Sequence, residues 1–276
     1  MEQIKKYFLN IYRIIIKREV RILPGHLAFF LVLSIMPIIT LISYVASLFS
    51  FSMVDVISVI SQFIPTEVEK LITPLLTSGS NLSIVWMIIG FFIASNGTHS
   101  IILISNMLYD IQDRNYVSRR IKAFLILVML MTIFAFILIF LGFGNMILKF
   151  ILNLNLIPNI SSFIYYLFIY IKYPVAFVLT YFFIKATYVM APDKRISSHY
   201  VKKGALFTTI GWIVVTSIYS YYANNLANYD LWYGSLSNII VLMIWIYIIS
   251  YIFVLGIAIN VNEYHYDEKE NKKIEF

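Results

Sequence analysis

The chain has 276 residues, of which 61% are hydrophobic and 13% are charged, and its formal net charge is +7. A water-soluble domain carries about 25% charged residues, so this composition excludes a water-soluble domain. It predicts an integral membrane protein. The sequence contains no cysteine, which excludes disulfides and thiolate metal ligands.

Residues 1–26 form the first predicted element, an amphipathic helix. Apolar side chains share one side of it, namely Ile4, Tyr7, Phe8, Ile11, Ile14, Ile15 and Ile22, and basic or polar side chains occupy the other. This pattern is typical of a helix that lies in the membrane interface. We expect Pro24-Gly25 to end the helix and to turn the chain into the membrane.

Six long apolar runs follow, at residues 27–50, 82–108, 123–150, 163–190, 204–226 and 236–261. Each is long enough to cross a hydrocarbon core of about 30 Å, which takes about 20 helical residues. Such runs are helices in lipid, because a helix satisfies its backbone polar groups internally. The sequence therefore predicts an all-α integral membrane protein with six transmembrane helices in one domain, residues 27–261, followed by a charged tail, residues 262–276.

The distribution of Lys and Arg predicts the orientation. Seventeen of the 21 fall in the N-terminal segment, the second and fourth connections and the C-terminal tail, whereas the other connections hold only Lys70 and Lys149. Positive residues stay on the cytoplasmic side, so we expect both termini to be cytoplasmic. The net charge then marks a face that meets anionic lipids, and no nucleic-acid partner is expected.

The first outer connection, residues 51–81, is the longest. Its apolar residues recur with broken helical periodicity around Pro65 and Pro74. We expect short amphipathic helices that rest on the outer membrane surface and could cover a cavity. A plain surface connection is the alternative.

The second run carries a polar stripe. Asn96, His99, Asn106 and Asp110, with Ser95 and Asp113, fall within about 100° of one face of a helix with 3.6 residues per turn. Polar groups at membrane depth must face other helices or water. The stripe therefore either lines a substrate or proton path, in which His99 could titrate near neutral pH, or it hydrogen-bonds neighbouring helices.

The fourth run contains Lys172 and Pro174. If its helix begins near Tyr170, Lys172 reaches the outer interface and Pro174 sits in the first turn, where proline is tolerated. We expect this shorter helix.

The fifth run carries a second stripe, which covers about 120° of the helix and consists mainly of Thr208, Trp212, Thr216 and Tyr219. Hydroxyl groups and small residues are common between membrane helices, so this pattern favours packing over a pathway lining. Both stripes remain candidates for lining a path.

The sequence offers no recognisable catalytic constellation. Its four histidines lie far apart, and it contains no His-Glu-x-x-His motif, glycine-rich phosphate loop or nucleophile elbow. We therefore expect no enzymatic activity, no bound metal and no cofactor.

Several segments together resemble one known family. The matching residues are Ala28, Phe29, Ser34 and Pro37 in the first run, Asn106 after the second, Pro192 after the fourth, Gly204 in the fifth, and Tyr233, Gly234, Ser235, Gly256 and Asn260 near the end. They resemble the motifs of the YihY/BrkB family of bacterial inner-membrane proteins. One position departs from the pattern, because Ala258 stands where that family often has a glutamate.

The resemblance implies a multi-pass protein of the bacterial inner membrane, proposed in that family to be a transporter or a lipid-handling protein. Our leading hypothesis is a transporter or lipid-translocating protein whose partners are membrane lipids and whose substrate is a lipid or another small molecule. A non-transporting envelope scaffold is the alternative. A ribonuclease, as an old label of the family says, is the third hypothesis, and the oligomeric state is left open.

Overall fold

The computed structural model describes residues 9, 12–14, 16, 18–48, 57, 61, 69–70, 73, 84–133, 160–225 and 236–274. The principal helices are α1 (Arg18–Leu48), α2 (Ile84–Leu108), α3 (116–133), α4 (Ile160–Met190), α5 (Lys202–Asn225) and α6 (Ser237–Ile274). No residue in these ranges belongs to a β-strand, so the all-α prediction is confirmed for the described part. The interfacial helix and the outer connection, residues 51–81, fall mostly outside it, and their predictions stay open.

Three helical stretches are long and apolar enough to cross a membrane: Ile88–Leu108, Lys202–Tyr222 and Ser237–Tyr266. Val20–Ile35 and Pro174–Met190 are shorter apolar helical stretches. Large apolar side chains point outward all around the bundle, among them Phe29, Phe92, Leu125, Phe182 and Ile218. Such a surface is stable in lipid and not in water, which supports the membrane-protein class. The count of six spans and the orientation of the termini stay predictions.

The main hydrophobic core joins five of the helices. It includes Leu27 from α1, Ile104 from α2, Tyr188 from α4, Ala205 from α5 and Ile257 from α6. Helix α1 packs against α2 and α6, while α5 packs against α4 and α6. Helix α3 is held to α2, where the Thr98 hydroxyl donates to the Ala123 carbonyl at 2.8 Å.

Two predicted helix boundaries are wrong. Helix α1 continues through Pro24 without ending there, and α4 begins at Ile160, so that Pro174 lies inside it. A proline inside a helix removes one backbone hydrogen bond. In membrane bundles neighbouring helices and local adjustments satisfy the freed carbonyl, so proline is a weaker stop signal there than in water.

One end of the bundle collects basic side chains and is called the basic end here; it comprises residues 109–122, 191–203 and 262–266. Lys122 Nζ lies 2.7 Å from the Pro192 carbonyl oxygen, and Lys203 Nζ lies 2.8 Å from a Glu263 carboxylate oxygen. These contacts bring the second and fourth connections and the tail together. Helix α6 itself continues through most of the charged tail, to Ile274.

Candidate functional site

The polar stripe of α5 packs against its neighbours. Thr208 Oγ1 lies 2.7 Å from Tyr188 Oη of α4. Three further hydrogen bonds join the stripe to α6: Trp212 Nε1 donates to the Ile249 carbonyl (2.9 Å), Trp245 Nε1 to Thr216 Oγ1 (3.2 Å), and the Tyr219 hydroxyl to the Val241 carbonyl (2.9 Å). The polar atoms of all four candidate residues are therefore engaged between helices, and any pathway role for them stays a prediction.

The residues of the polar stripe of α2 lie at two separate places, the contact with α3 and the basic end. Asn96 accepts a hydrogen bond from Arg120 of α3 (2.8 Å), and the His99 ring packs edge-on against Tyr116 at 5.9 Å between centroids. Asn106 lies farther along, at the basic end, where it bonds to Asp193. The structure therefore does not bring these residues together around one path.

Asp110 lies beyond the end of α2. Its φ of 55° is in the left-handed region. The Ile111 amide donates to the Asn106 carbonyl (2.9 Å) and the Asp110 amide to the Met107 carbonyl (3.3 Å), which is the Schellman arrangement that ends a helix. The expectation that Asp110 continues the polar helix face is therefore wrong, because α2 ends at Leu108 and Asp110 adopts a left-handed backbone conformation.

We expect Asp110→Gly to leave the free energy of unfolding unchanged or to raise it by up to about 1 kcal/mol, because glycine adopts this conformation without strain. Asp110→Val should lower it by about 1–2 kcal/mol, since a β-branched side chain is strained there. Thermal unfolding in detergent measures both, and Gln112→Val in the same connection is the matched control. An Asp110→Gly protein less stable than the wild type would contradict this assignment.

A polar cluster of charged and amide groups closes the basic end. Asn106 Nδ2 donates to Asp113 (2.9 Å) and to Asp193 (2.8 Å), and the Asp193 amide donates back to Asn106 Oδ1 (2.8 Å). Lys122 Nζ bonds to the Asp193 carboxylate (2.8 Å) and to the Ala191 carbonyl (2.9 Å) in addition to that of Pro192. The cluster ties the end of α2, the start of α3 and the segment after α4 to one another.

The Asp193 side chain is only 2% exposed. Burial by itself would raise the pKa of this carboxyl group. The hydrogen bonds from Lys122 and Asn106, together with the positive charge of Lys122, outweigh burial and hold the pKa below its usual value. Asp193 is therefore a charged, fully engaged group at neutral pH, and Asp113 is likewise paired, with Arg119.

A cavity of about 300 Å³ lies among the six helices. Each helix contributes to its walls, for example Leu31, Ala94, Leu130, Phe183, Trp212 and Phe253 in chain order. Hydroxyl groups in the walls are mostly engaged by backbone carbonyls, as with Thr98 and Thr187. Ser250 Oγ is the exception, since it is buried and finds no partner in the described part of the chain. Of the eight candidate pathway residues, Trp212 is the one that lines this cavity.

Three of the four motif residues of the first run pack against neighbouring helices. Ala28 is buried against Leu242 and Ile246 of α6, whereas Phe29 faces outward. Ser34 is fully buried at the crossing of α1 and α2, where its hydroxyl donates to the Phe30 carbonyl (2.7 Å). Pro37 lies against Gly90 of α2. Tyr233, Gly234 and Ser235 lie outside the described residues.

Gly204, Gly256 and Asn260 meet where α5 crosses α6. The Gly204 amide donates to Asn260 Oδ1 (2.9 Å), and a Cβ atom built on Gly204 would overlap the Gly256 carbonyl oxygen. Glycine at these positions lets the two backbones approach closely. The Tyr188 hydroxyl also donates to the Phe253 carbonyl (2.8 Å), which adds α4 to the same crossing.

Residues whose role depends on long-range contacts are not evident from the sequence. The charge pattern places Arg120 and Lys122 in a connection, yet α3 begins at residue 116 and carries both inward. Arg120 is only 7% exposed, and its guanidinium lies 3.8 Å from the centre of the Phe92 ring. Helical spacing that runs on from residue 116 could have indicated the true start of α3. The basic residues in this segment instead suggested a connection outside the membrane.

Comparisons with known proteins agree with the sequence motifs. The family model described as Virulence factor BrkB matches residues 11–275. The "Putative ribonuclease-like protein YfkH" of Bacillus subtilis (strain 168) is 32% identical over 246 residues, which cover 86% of this chain and 87% of that protein. A "UPF0761 membrane protein" of Vibrio cholerae serotype O1 is 26% identical over 263 residues, 90% of this chain and 84% of that protein. No solved structure matches the chain.

Proposed function

The chain belongs to the virulence factor BrkB family, and on this premise we propose that it moves lipids within the membrane, with an acyl chain held in the central cavity. The observation that carries the proposal is an apolar cavity to which all six principal helices contribute. Its walls leave one hydroxyl group, that of Ser250, without a partner among the described residues.

The apolar walls of the cavity favour a lipid over a polar solute as the ligand. Moving a polar group into an apolar site without a new hydrogen bond costs roughly 2–7 kcal/mol. An acyl chain that enters from the bilayer core exchanges one apolar environment for another, so binding is close to neutral and the chain can leave again. Translocation needs such balanced binding, because a ligand held too tightly is not released.

The volume of the cavity sets how much of a lipid it holds. A volume of about 300 Å³ is at the lower end of the range for ligand pockets. This space fits a section of an acyl chain and is too small for a whole phospholipid. The head group therefore travels outside the cavity, along the bundle.

We propose that six spans place the protein in the bacterial inner membrane with the basic end in the cytoplasm. The positive-inside rule supports this orientation, because the second and fourth connections and the tail lie together at that end. The partners under this proposal are membrane lipids. No nucleic acid is required, because the basic residues meet anionic lipid head groups.

The proposal assigns no catalytic step to the chain. Asp113 and Asp193 are held by Arg119 and Lys122, and among the described residues no three histidine or carboxylate side chains gather as metal ligands. The words "ribonuclease-like" come from the name of the Bacillus subtilis relative.

Filling the cavity tests the proposal. We expect Leu130→Trp, in the cavity wall, to lower the rate at which the reconstituted protein moves a fluorescent phospholipid between leaflets by at least about tenfold. The added ring occupies the space that the acyl chain needs. Quenching of the outer-leaflet dye by an impermeant reductant measures the rate.

Leu125→Trp is the matched control, because Leu125 lies on the same helix but is 61% exposed on the lipid-facing surface. Its rate should stay within about twofold of the wild type. Translocation no faster than in protein-free vesicles would contradict lipid transport, and equal rates for Leu130→Trp and wild type would remove the cavity from the mechanism.

A further inference from the structure

The six principal helices surround the cavity as a ring that is packed on five of its sides. Helix α1 packs against α2 and α6, and α5 packs against α4 and α6. Helix α3 is held to α2, because Ala123 packs against Ile102 and its carbonyl accepts the hydrogen bond from Thr98. The order around the ring is therefore α3, α2, α1, α6, α5 and α4, and the remaining side lies between α4 and α3.

Helices α3 and α4 meet at the basic end. Lys122 Nζ of α3 bonds there to the Ala191 carbonyl (2.9 Å) and to two further oxygens in the segment after α4. Leu130 lies eight residues beyond Lys122, and Phe183 lies eight residues before Ala191, so both are about 12 Å farther from the basic end. At that depth both side chains line the cavity, which therefore separates the two helices.

The buried apolar contacts of α3 and α4 are made with other helices. On α3, Ile126 packs against Ile102 of α2, and Leu127 packs on the same helix. On α4, Ile184 and Tyr188 belong to the main core. Among the described residues, no hydrophobic cluster contains buried side chains of both α3 and α4. The cavity is not fully enclosed, so the side between these two helices is its candidate opening.

The depth of the cavity corresponds mainly to one leaflet. Helix α4 ends at Met190, and its cavity residues Thr187 and Phe183 lie about 5 and 10 Å before that end. Helix α5 begins at Lys202, and Trp212 lies about 15 Å beyond that start. A hydrocarbon core of about 30 Å gives each leaflet about 15 Å. The cavity therefore lies beside the acyl chains of the leaflet at the basic end.

The edges of the gap between α3 and α4 are apolar. Met129 and Ile133 follow Lys122 by seven and eleven residues, which places them on the same side of α3. On α4, Ala186 is the i+3 neighbour of Phe183. Met129, Ile133 and Ala186 are all half-buried. An acyl chain passes such edges without losing a hydrogen bond, whereas a phosphate group would lose its hydration.

We propose that the gap between α3 and α4, bordered by Met129, Ile133 and Ala186, is the entrance of the cavity for an acyl chain. The chain belongs to a phospholipid of the leaflet at the basic end, and the head group stays at the interface while the tail enters sideways. This inference rests on the proposed function and specifies which lipid is loaded and by which route.

Quenching of Trp212 by brominated lipid tests the entrance, because Trp212 lines the cavity and bromine quenches tryptophan on contact. The full-length chain is placed in nanodiscs of phosphatidylcholine that is brominated in the middle of one acyl chain. Trp86→Phe, Trp232→Phe and Trp245→Phe remove the other three tryptophans, so that the fluorescence reports on Trp212.

A reversible cross-link then closes the gap. The chain has no cysteine, so Met129→Cys and Ala186→Cys introduce the only two thiols, and a short reducible bifunctional thiol reagent joins them. We expect the cross-link to lower the quenching of Trp212 by at least about threefold, because the acyl chain no longer reaches the pocket that would bury it. Reduction of the linker should restore the quenching in the same sample.

Phe91→Cys with Phe124→Cys, joined by the same reagent, is the matched control. These two rings stack at 5.4 Å between centroids on the packed side between α2 and α3, so the cross-link should leave the quenching unchanged. Quenching that persists after the Met129 and Ala186 positions are joined would overturn the entrance and leave the cavity proposal standing. Absence of quenching before cross-linking would contradict occupation of the cavity itself.

Lipid translocation gives a second measurement with all four native tryptophans in place. Joining positions 129 and 186 should lower the translocation rate of the reconstituted protein by at least about tenfold, and reduction should restore it. A joined protein that moves lipid at the unjoined rate would overturn the entrance.

Discussion

Gly204→Ala is expected to lower the free energy of unfolding by about 3 kcal/mol or more, the upper range for overpacking a well-packed core. The new Cβ atom would overlap the Gly256 carbonyl oxygen and the Asn260 side-chain amide. The Gly256 carbonyl oxygen is a backbone atom and cannot move away by a change of rotamer, so α5 and α6 must separate. Separation also breaks the hydrogen bond between the Gly204 amide and Asn260. Thermal unfolding in detergent, followed by size-exclusion chromatography, measures the loss.

Gly90→Ala is the matched control for this experiment. A Cβ atom on Gly90 would meet Pro37 at 3.8 Å, which is an ordinary contact. Since alanine favours a helix by up to about 1 kcal/mol over glycine, this variant should be as stable as the wild type or slightly more stable. Equal losses for the two variants would contradict the close crossing of α5 and α6.

Lys122→Met is expected to destabilise the protein by about 1.5–3 kcal/mol, the range for hydrogen bonds to charged groups, because Lys122 is 24% exposed and the ion pair is only partly buried. The substitution leaves the Asp193 carboxylate, 2% exposed, without its charged donor, and it frees two backbone carbonyls. Chemical or thermal unfolding in detergent at pH 7 measures the change. Lys203→Met is the matched control, because Lys203 is 64% exposed in its ion pair with Glu263 and should contribute at most about 1 kcal/mol.

The effect of Lys122→Met should depend on pH in a defined direction. The pKa of Asp193 is lowered in the folded protein, so its ionised form stabilises the fold above the unfolded pKa of about 3.9. That contribution is lost as the pH falls through the lower, folded pKa. The difference between wild type and variant should therefore be full at pH 7 and shrink below about pH 4. A difference that grows on acidification would contradict the assigned role of Asp193.

The polar stripes illustrate what periodicity can and cannot predict. Helical spacing correctly placed Thr208, Trp212 and Thr216 on one face of α5, because that spacing is a local property of the backbone. It could not determine what the face meets. Trp212 donates to Ile249, 37 positions away, and only the packing of α5 on α6 brings the two together. The prediction of one continuous polar face on α2 was wrong, because the Schellman turn at Asp110 ends the helix.

The distribution of charge in the sequence correctly predicted which segments share one end of the bundle. It did not predict which charged side chains are buried. Counting Lys and Arg predicted a basic end, and contacts such as that of Lys122 with Pro192 gather the expected segments at one end. The same count treated Arg120 as a surface residue. Its burial depends on Phe92 and Asn96 of α2, whose approach cannot be read from residues 114–122 alone.

The sequence by itself determined the class of this protein, since length, hydropathy and the scarcity of charge require helices solvated by lipid, and its motifs identify the family. Tertiary structure alone decided which polar groups meet, because partners such as Asn106 and Asp193 lie 87 positions apart. It also decided where space remains, since the central cavity exists only between helices that are distant in the chain. Hydrophobicity is a property of each residue, whereas a binding site is a property of their arrangement.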